Sequence, residues 1–376
     1  MRTGILRIIA GKELRDQIRS KRFRTLFAIL LIIAVAGLID GAFSYQESLE
    51  NYNEMLVAAS EGETDLSYNY YEGKPSVLEA FNRIGYLLST VAAVLGIAMG
   101  FDLITAEKES KSLKILLSHP IYRDEVITGK ALGGAGAIAL AMAIVIVLAV
   151  AVLLIFGVVP SFEETVRVLI FGGLSFLMVF SFFILALFFS TAAKDSGSAL
   201  VLTLVLFVTL SAVTMLVISG PAITFLIGDP PEPPGSSYSY SFSTGPNSIT
   251  SVSSSVSGDS SQEFDQEEYQ EKMEEYRQES NAYWERRMAI TDTFTLLSPD
   301  QNYQRLAFAV TEPGLEAARQ HQGENAPIDL MTEPRDGLST FFGLLGGLSQ
   351  RIIALFVFPA AFFGLAWVKF AREDIR

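Results

Sequence analysis

The sequence contains no cysteine, which excludes disulfides, zinc–thiolate and iron–sulfur sites, thiol nucleophiles and thiol redox chemistry. Histidine is nearly absent. Only His119 and His321 occur, far apart and in no His-x-x-x-His pair, so a histidine metal site or a Ser-His-Asp triad would have to be built from singletons. Charge is scarce as well, at 18% of 376 residues against 50% hydrophobic, a balance too apolar for an ordinary soluble domain. No catalytic, cofactor-binding or metal-binding residue is expected in such a chain.

Where charge is missing, the chain stays apolar over lengths that can cross a bilayer, for which a helix needs about 20 apolar residues. Six segments qualify: 25–43, 84–101, 131–156, 168–190, 198–218 and 352–368. They are apolar on all faces, unlike the one-sided helices of a soluble protein. Pro160, Glu163 and Glu164 mark a short link that makes the third and fourth spans an antiparallel hairpin, and Pro221 ends the fifth near residue 218. The first span follows 24 residues carrying eight Lys and Arg and has no small-x-small cleavage site, so it reads as retained rather than as a signal peptide. Asp40 sits at its outer end, an interfacial position. No span carries an Asp, Glu, Lys or Arg at mid-membrane, which argues against proton or sodium coupling and against ion conduction.

The short segments fix an orientation. With the N-terminus inside, residues 1–24, 102–130, 191–197 and 369–376 hold 17 of the 28 basic residues, the bias expected of cytoplasmic loops. These segments carry a balance of +7 and the remainder −20. The formal charge of −13 is thus a property of the external regions, and both termini are expected in the cytoplasm of a cell-membrane protein.

Four regions follow: 1–24, an amphipathic interfacial helix; 25–227, five spans with an external loop 44–83 and a cytoplasmic loop 102–130; 228–337, an external insert; and 338–376, a re-entrant or interfacial segment, the sixth span and a tail. Residues 229–261 are dominated by Ser, Pro and Gly, a composition that buries too little apolar surface to fold alone. Residues 263–293 lack Gly and Pro, and Tyr269, Met273, Tyr276 and Tyr283 recur at helical spacing, which predicts a helix packed along that stripe.

The loop FDLITAEKESKSLKILLSHPIYRDEVITGKALGG carries most of the argument. Glu107, Lys108, Glu109, Lys111 and Lys114 form a charged helical register, Leu113, Ile115, Leu116 and Leu117 give it an apolar side, and His119-Pro120 ends it. A second short helix from Arg123 to Lys130 then enters the membrane. Two short helices joined at Pro120 make a knob suited to a partner's groove, although charge runs of this kind also occur as solvated loops. Glu107 and Glu109 are candidates to pair with bases of the N-terminal helix or of a partner. Arg123 suits either a partner carboxylate or lipid headgroups. Gly96-x-x-x-Gly100 and Gly129-x-x-x-Gly133 are small-residue spacings for close helix packing.

The order Asp102, Glu107-Lys-Glu-Ser, Leu113, Leu116-Leu117-Ser118, Pro120, Arg123, Glu125, Gly129-Lys130 resembles the hallmark loop of type-2 ABC transporter permeases, the ABC-2 family. The resemblance covers the basic N-terminal helix, the spans, the inside termini and this loop, about 230 residues, and not the Ser-rich insert; Ser110 to Ser112 stand where the family has Gly-Thr. Leu297-Ser298-Pro299 with Tyr303 resembles a segment before the family's last helices. The resemblance implies an all-α polytopic permease that pairs with a second permease, identical or not, and with two cytoplasmic ABC ATPase chains. Those partners would hold ATP and Mg, and loop 102–130 would act as coupling helix. The chain has no G-x-x-x-x-G-K-[ST] motif, so ATP hydrolysis would reside in the partner. Nucleic acid is not an expected partner.

The expected function is an exporter subunit for an amphiphilic or unknown substrate, the family carrying varied cargo. A rival from another class is a non-transporting envelope assembly factor or mechanical transmitter driven by a partner ATPase, since fold does not fix function. A membrane-embedded enzyme would need paired acids or a histidine cluster within the spans, which the sequence lacks.

Overall fold

The computed structural model describes residues 3–60, 77–112, 122–232, 266–313, 316 and 338–372. The described residues are helical with no strand. Among the described residues, six stretches are long and apolar enough to cross a membrane: Lys21–Glu54, Ser89–Glu109, Arg123–Ile155, Phe162–Ala192, Ser196–Ile218 and Ser349–Arg372. With six crossings, the N-terminal helix and the end of the last span share one side of the bilayer, called the α1 side below. The chain divides into two compact units, Met1–Leu210 with Leu296–Arg376, and Ser211–Thr295.

In the first unit, α1 (Thr3–Arg19) stops at Ser20, and α2 (Lys21–Ser60) starts there. The Ser20 hydroxyl accepts the Phe23 N–H at 3.1 Å, an N-cap that re-aims the chain from the surface into the bilayer. The loop expected over 44–83 begins as helix, since α2 continues to Ser60. Residues 44–60 contain neither Gly nor Pro to end it. α3 (Glu79–Gly100) returns across the bundle and leads into a one-turn elbow, α4 (Thr105–Glu109). α5 (Arg123–Ile155) and α6 (Phe162–Ala192) form the hairpin. At its turn Ser161 and Glu164 cap α6 reciprocally, the Glu164 N–H meeting Ser161 Oγ at 3.2 Å and the Ser161 N–H meeting Glu164 Oε2 at 2.7 Å.

α6 is the axis of this unit. Its residues 182–187 are all buried, which a helix achieves only when neighbours cover every face. α3 reaches it through glycine: a Cβ on Gly96 or Gly100 would run into the backbone carbonyls of Val179 and Phe183. α7 (Ser196–Ile218) is capped by Asp195, whose carboxylate accepts the Ser198 N–H at 2.8 Å; the backbone and hydroxyl of Ser198 hold its pKa below the ordinary value. Along α7, Val201, Val205 and Val208 stand more than half exposed.

α10 (Pro299–Thr311) packs against α3, α6 and α12. Tyr303 is fully buried there, its hydroxyl 3.0 Å from Ser175 Oγ and its ring 6.1 Å from that of Phe171. Burial pushes the Tyr303 hydroxyl well above its usual pKa, against the opposing hydrogen bond to Ser175. Burial also raises the pKa of Asp300, against the hydroxyl of Ser89 and the amides of Gln304 and Gln301. α11 (Leu338–Gly347) buries Phe341 and is separated only by Leu348 from α12 (Ser349–Arg372).

In the second unit, α7 ends at Ile218, Gly220 takes φ +103°, and α8 (Pro221–Ile227) starts on Pro221. α9 (Gln266–Leu296) matches residues 266–293 of the predicted 263–293 helix, and 263–265 lie outside the described residues. Tyr283 is its buried anchor, with Met273 and Tyr276 half-buried on the same stripe. Arg287 lies over the Trp284 ring at 5.0 Å. Residues 233–265, the core of the Ser-rich insert, lie outside the described residues.

Candidate coupling site

The start of α5 is notched by three glycines on one face, and α1 lies in the notch. A Cβ on Gly129 would sit 2.7 Å from Ile9 Cγ2, one on Gly133 would sit 2.7 Å from the Ala10 carbonyl oxygen and 2.5 Å from Glu13 Cβ, and one on Gly136 would sit 3.5 Å from Leu14 Cδ1. Small residues are what allow two backbones to approach this closely. The approach brings an acid of α1 to a base of α5.

Lys130 is that base, and its side chain is 6% exposed. Its Nζ lies 3.0 Å from Glu13 Oε2 of α1 and 2.9 Å from Glu107 Oε1 of the elbow. Gln17, one turn after Glu13, donates to the Met99 carbonyl at 3.1 Å and to Glu13 Oε1 at 3.4 Å. A buried ammonium is tolerated only with such partners, so three elements are joined at one side chain. The cluster carries two carboxylates for one ammonium, and Glu107 Oε2 is buried with no hydrogen-bond partner.

The elbow is fastened on its other side to the α6–α7 junction. Ser190 Oγ accepts the N–H groups of Ile104 and Thr105 at 3.0 and 3.1 Å. Lys108 Nζ donates to the Thr191 and Ala193 carbonyls at 2.8 and 3.3 Å, a cation on the open carbonyls of a helix C-terminus. Glu109 Oε1 accepts the Ser196 N–H at 2.6 Å, placing a carboxylate at the first turn of α7. Arg22 of α2 pairs with Asp102 and stacks over Phe101. The five-residue elbow therefore has polar contacts with α5, α6 and α7, while α1 reaches it through Lys130 and α2 pairs with Asp102 just before it.

The sequence pattern of the ABC-2 family transporter proteins matches residues 7–375. The chain belongs to the ABC-2 family. Its sequence is also similar to that of a probable ABC transporter permease protein, NosY, from Pseudomonas aeruginosa, with 29% identity over 194 residues. The match takes in 51% of this chain and 61% of that protein, so the chain spans about three-fifths of that relative's length. With its six apolar spans among the described residues, this ABC-2 protein is a multi-pass membrane protein.

Of the residues singled out from the ABC-2 resemblance, Glu107, Gly129 and Lys130 converge on the α1–α4–α5 cluster. Glu125 is fully buried at the first turn of α5 and accepts the Tyr122 N–H at 3.3 Å. Arg123 is half-buried at the start of the same helix. Glu109 lies apart, on Ser196. Leu116, Leu117 and Pro120 lie outside the described residues, as does the rest of 113–121. Gly96 and Gly100 lie against α6, and Gly133 lies against α1 of the same chain.

One of the two pairings expected for Glu107 is not seen among the described residues. Glu107 does not pair with a base of α1: the base is Lys130 of α5, and α1 supplies a second acid, Glu13. The face that α1 turns to the glycine groove of α5 carries Ile9, Ala10, Glu13 and Leu14. Glu13 and Gln17 were missed. The available signal was an acid and an amide four residues apart within an otherwise basic helix.

Proposed function

We propose that the chain is the membrane subunit of an ATP-driven exporter, and that the α1–α4–α5 junction receives the motion of an ABC ATPase supplied as a separate chain. In this reading α1 and the elbow face the cytoplasm, as the Lys and Arg bias of their segments favours, and ATP and Mg reside on the partner. A second permease copy, identical or not, completes the transporter; the apolar exposed face of α7 supports an interface there. Transport alternates between inward- and outward-biased states whose populations follow nucleotide closure. An amphiphilic substrate suits the uncharged spans.

The observation that carries this reading is the shared Lys130 ammonium between Glu13 and Glu107. It links the segment positioned to meet a partner with both an interfacial helix and a spanning helix. The test is co-purification in mild detergent followed by vanadate-sensitive ATPase and transport assays. A stoichiometric ATPase is expected, and Glu107→Ala and Arg123→Glu should insert normally yet lose substrate-stimulated hydrolysis. Unchanged export in both variants sinks the coupling assignment.

A second reading draws on the separate compact unit Ser211–Thr295: ATPase work rearranges an external region that acts on an envelope partner. Deleting residues 230–261 separates the two. Preserved export with a lost envelope phenotype favours transmission, and lost export in an inserted protein favours cargo handling.

A further inference from the structure

Arg167 is a buried cation that the coupling site does not use. It lies on the first turns of α6, 7% exposed, with its guanidinium 5.2 Å from the centre of the Phe341 ring. Among the described residues it makes no ion pair, and its Nε is buried without a hydrogen-bond partner. An aromatic face compensates only part of the hydration a guanidinium loses.

Its depth is informative. α6 has 31 residues, about 46 Å at 1.5 Å per residue, against a hydrocarbon core of about 30 Å. The excess is about 8 Å at each end, which puts the sixth residue of the helix at the boundary between headgroups and hydrocarbon. Arginines at that level ordinarily anchor by reaching out to lipid. This one is enclosed by its own chain.

A cavity lies beside it. Val168, the next residue, and Phe171, one turn on, line a small, partly open recess together with Leu38, Phe81, Met142 and Ala149. Its walls are apolar, the Ser175 hydroxyl being already engaged by Tyr303 and the Phe171 carbonyl. A cation at headgroup depth with no ion pair among the described residues, adjoining an apolar recess that runs toward mid-membrane, matches an amphiphile with one anionic head and a hydrocarbon chain.

We propose that Arg167 and this cavity bind an anionic phospholipid drawn from the leaflet opposite α1, the guanidinium taking the phosphate and the cavity part of one acyl chain. The site lies away from the α1–α4–α5 junction, and its occupancy does not depend on an ATPase partner. Arg suits the role because its planar fork meets phosphate oxygens in pairs.

The test uses the full chain reconstituted in phosphatidylcholine vesicles doped with a diazirine-bearing phosphatidylglycerol, and in parallel with a diazirine-bearing phosphatidylcholine, with crosslinked peptides mapped by mass spectrometry. The anionic probe should label residues 142–149 and 168–175 more strongly than the zwitterionic one, because the choline ammonium of the latter offsets the phosphate charge that the buried guanidinium meets. Arg167→Gln should abolish that preference, Arg167→Lys should keep part of it, and Ala149→Leu should lower labelling by both probes by filling the recess. Equal labelling of wild type by the two probes overturns the proposal, as does a preference that survives Arg167→Gln. If a variant fails to insert, the wild-type comparison decides alone.

Discussion

Replacing Lys130 with methionine isolates the energetics of the junction. Methionine keeps the length and apolar stem of lysine but leaves Glu13 and Glu107 facing each other. Both carboxylates lie within 3.0 Å of Nζ, so they are at most about 6 Å apart and repel by about 3 kcal/mol at an effective dielectric of about 20. Breaking one side of a buried ion pair costs about 3–5 kcal/mol, and the 22% exposure of the Glu107 side chain favours the lower end. A loss of about 3 kcal/mol in the docking of α1 raises its undocked population about 100-fold. The sequence has no cysteine, so a single Ile9→Cys, at a position packed on Gly129, reports that opening through its maleimide labelling rate. Labelling should accelerate about 100-fold in Lys130→Met. Adding Glu13→Gln and Glu107→Gln should recover most of the protection, because removing all the charges leaves none uncompensated. Equal labelling of Lys130→Met and the unsubstituted background would refute the account, as would a triple variant as open as the single.

Other perturbations have equally definite outcomes. Gly100→Leu should separate α3 from α6 by driving a side chain into the Phe183 carbonyl, lowering detergent-state stability by about 1–3 kcal/mol; thermal aggregation followed by size exclusion reads it, and an unchanged midpoint counts against the packing. Burial raises the Asp300 pKa, so the folded state binds this proton more tightly than the unfolded chain. Its contribution to stability is full below the ordinary carboxylate pKa and falls as pH rises from there through the raised folded value. Asp300→Asn should remove that slope and raise stability at neutral pH, and a pH–stability curve that keeps its slope contradicts the assignment. If a second copy packs on α7, Val208→Cys should form disulfide-linked dimers under mild oxidation while Tyr122→Cys, exposed at the start of α5, should not; reversal of that pattern moves the interface elsewhere.

Most of the architecture was legible because the bilayer imposes a coarse grammar. The six apolar runs of the sequence correspond to the six spanning stretches, and Pro221 marked where α7 has already ended. The length of α2 was not legible from hydropathy, since nothing apolar distinguishes residues 44–60; the absence of Gly and Pro was the only cue to continued helix. α10 was hidden for the opposite reason. Its sequence PDQNYQRLAFAVT is too polar and short to read as membrane-embedded, yet nearly every face of it is buried, with Tyr303 satisfied by Ser175 and Asn302 by the Leu296 carbonyl at 2.8 Å. At the junction, Glu107, Gly129 and Lys130 were found because they sit in one short charged segment. Glu13 and Gln17 lie 117 and 82 residues from their partners, a tertiary pairing that local periodicity does not encode. Arg167, just before the fourth apolar run, was not singled out, because burial is not a property of the sequence.

The glycine groove has a consequence for how the protein is made. α1 leaves the ribosome first, but Lys130 follows Glu13 by 117 residues, about 6–23 s of synthesis at about 5–20 residues per second. Throughout that interval the docking face of α1 has no groove to enter, while the first two spans are being inserted. A helix with basic residues and exposed Ile8 can wait at the lipid surface without aggregating, held there by headgroups. Its amphipathic character thus serves as a holding position for an N-terminus whose binding site does not yet exist.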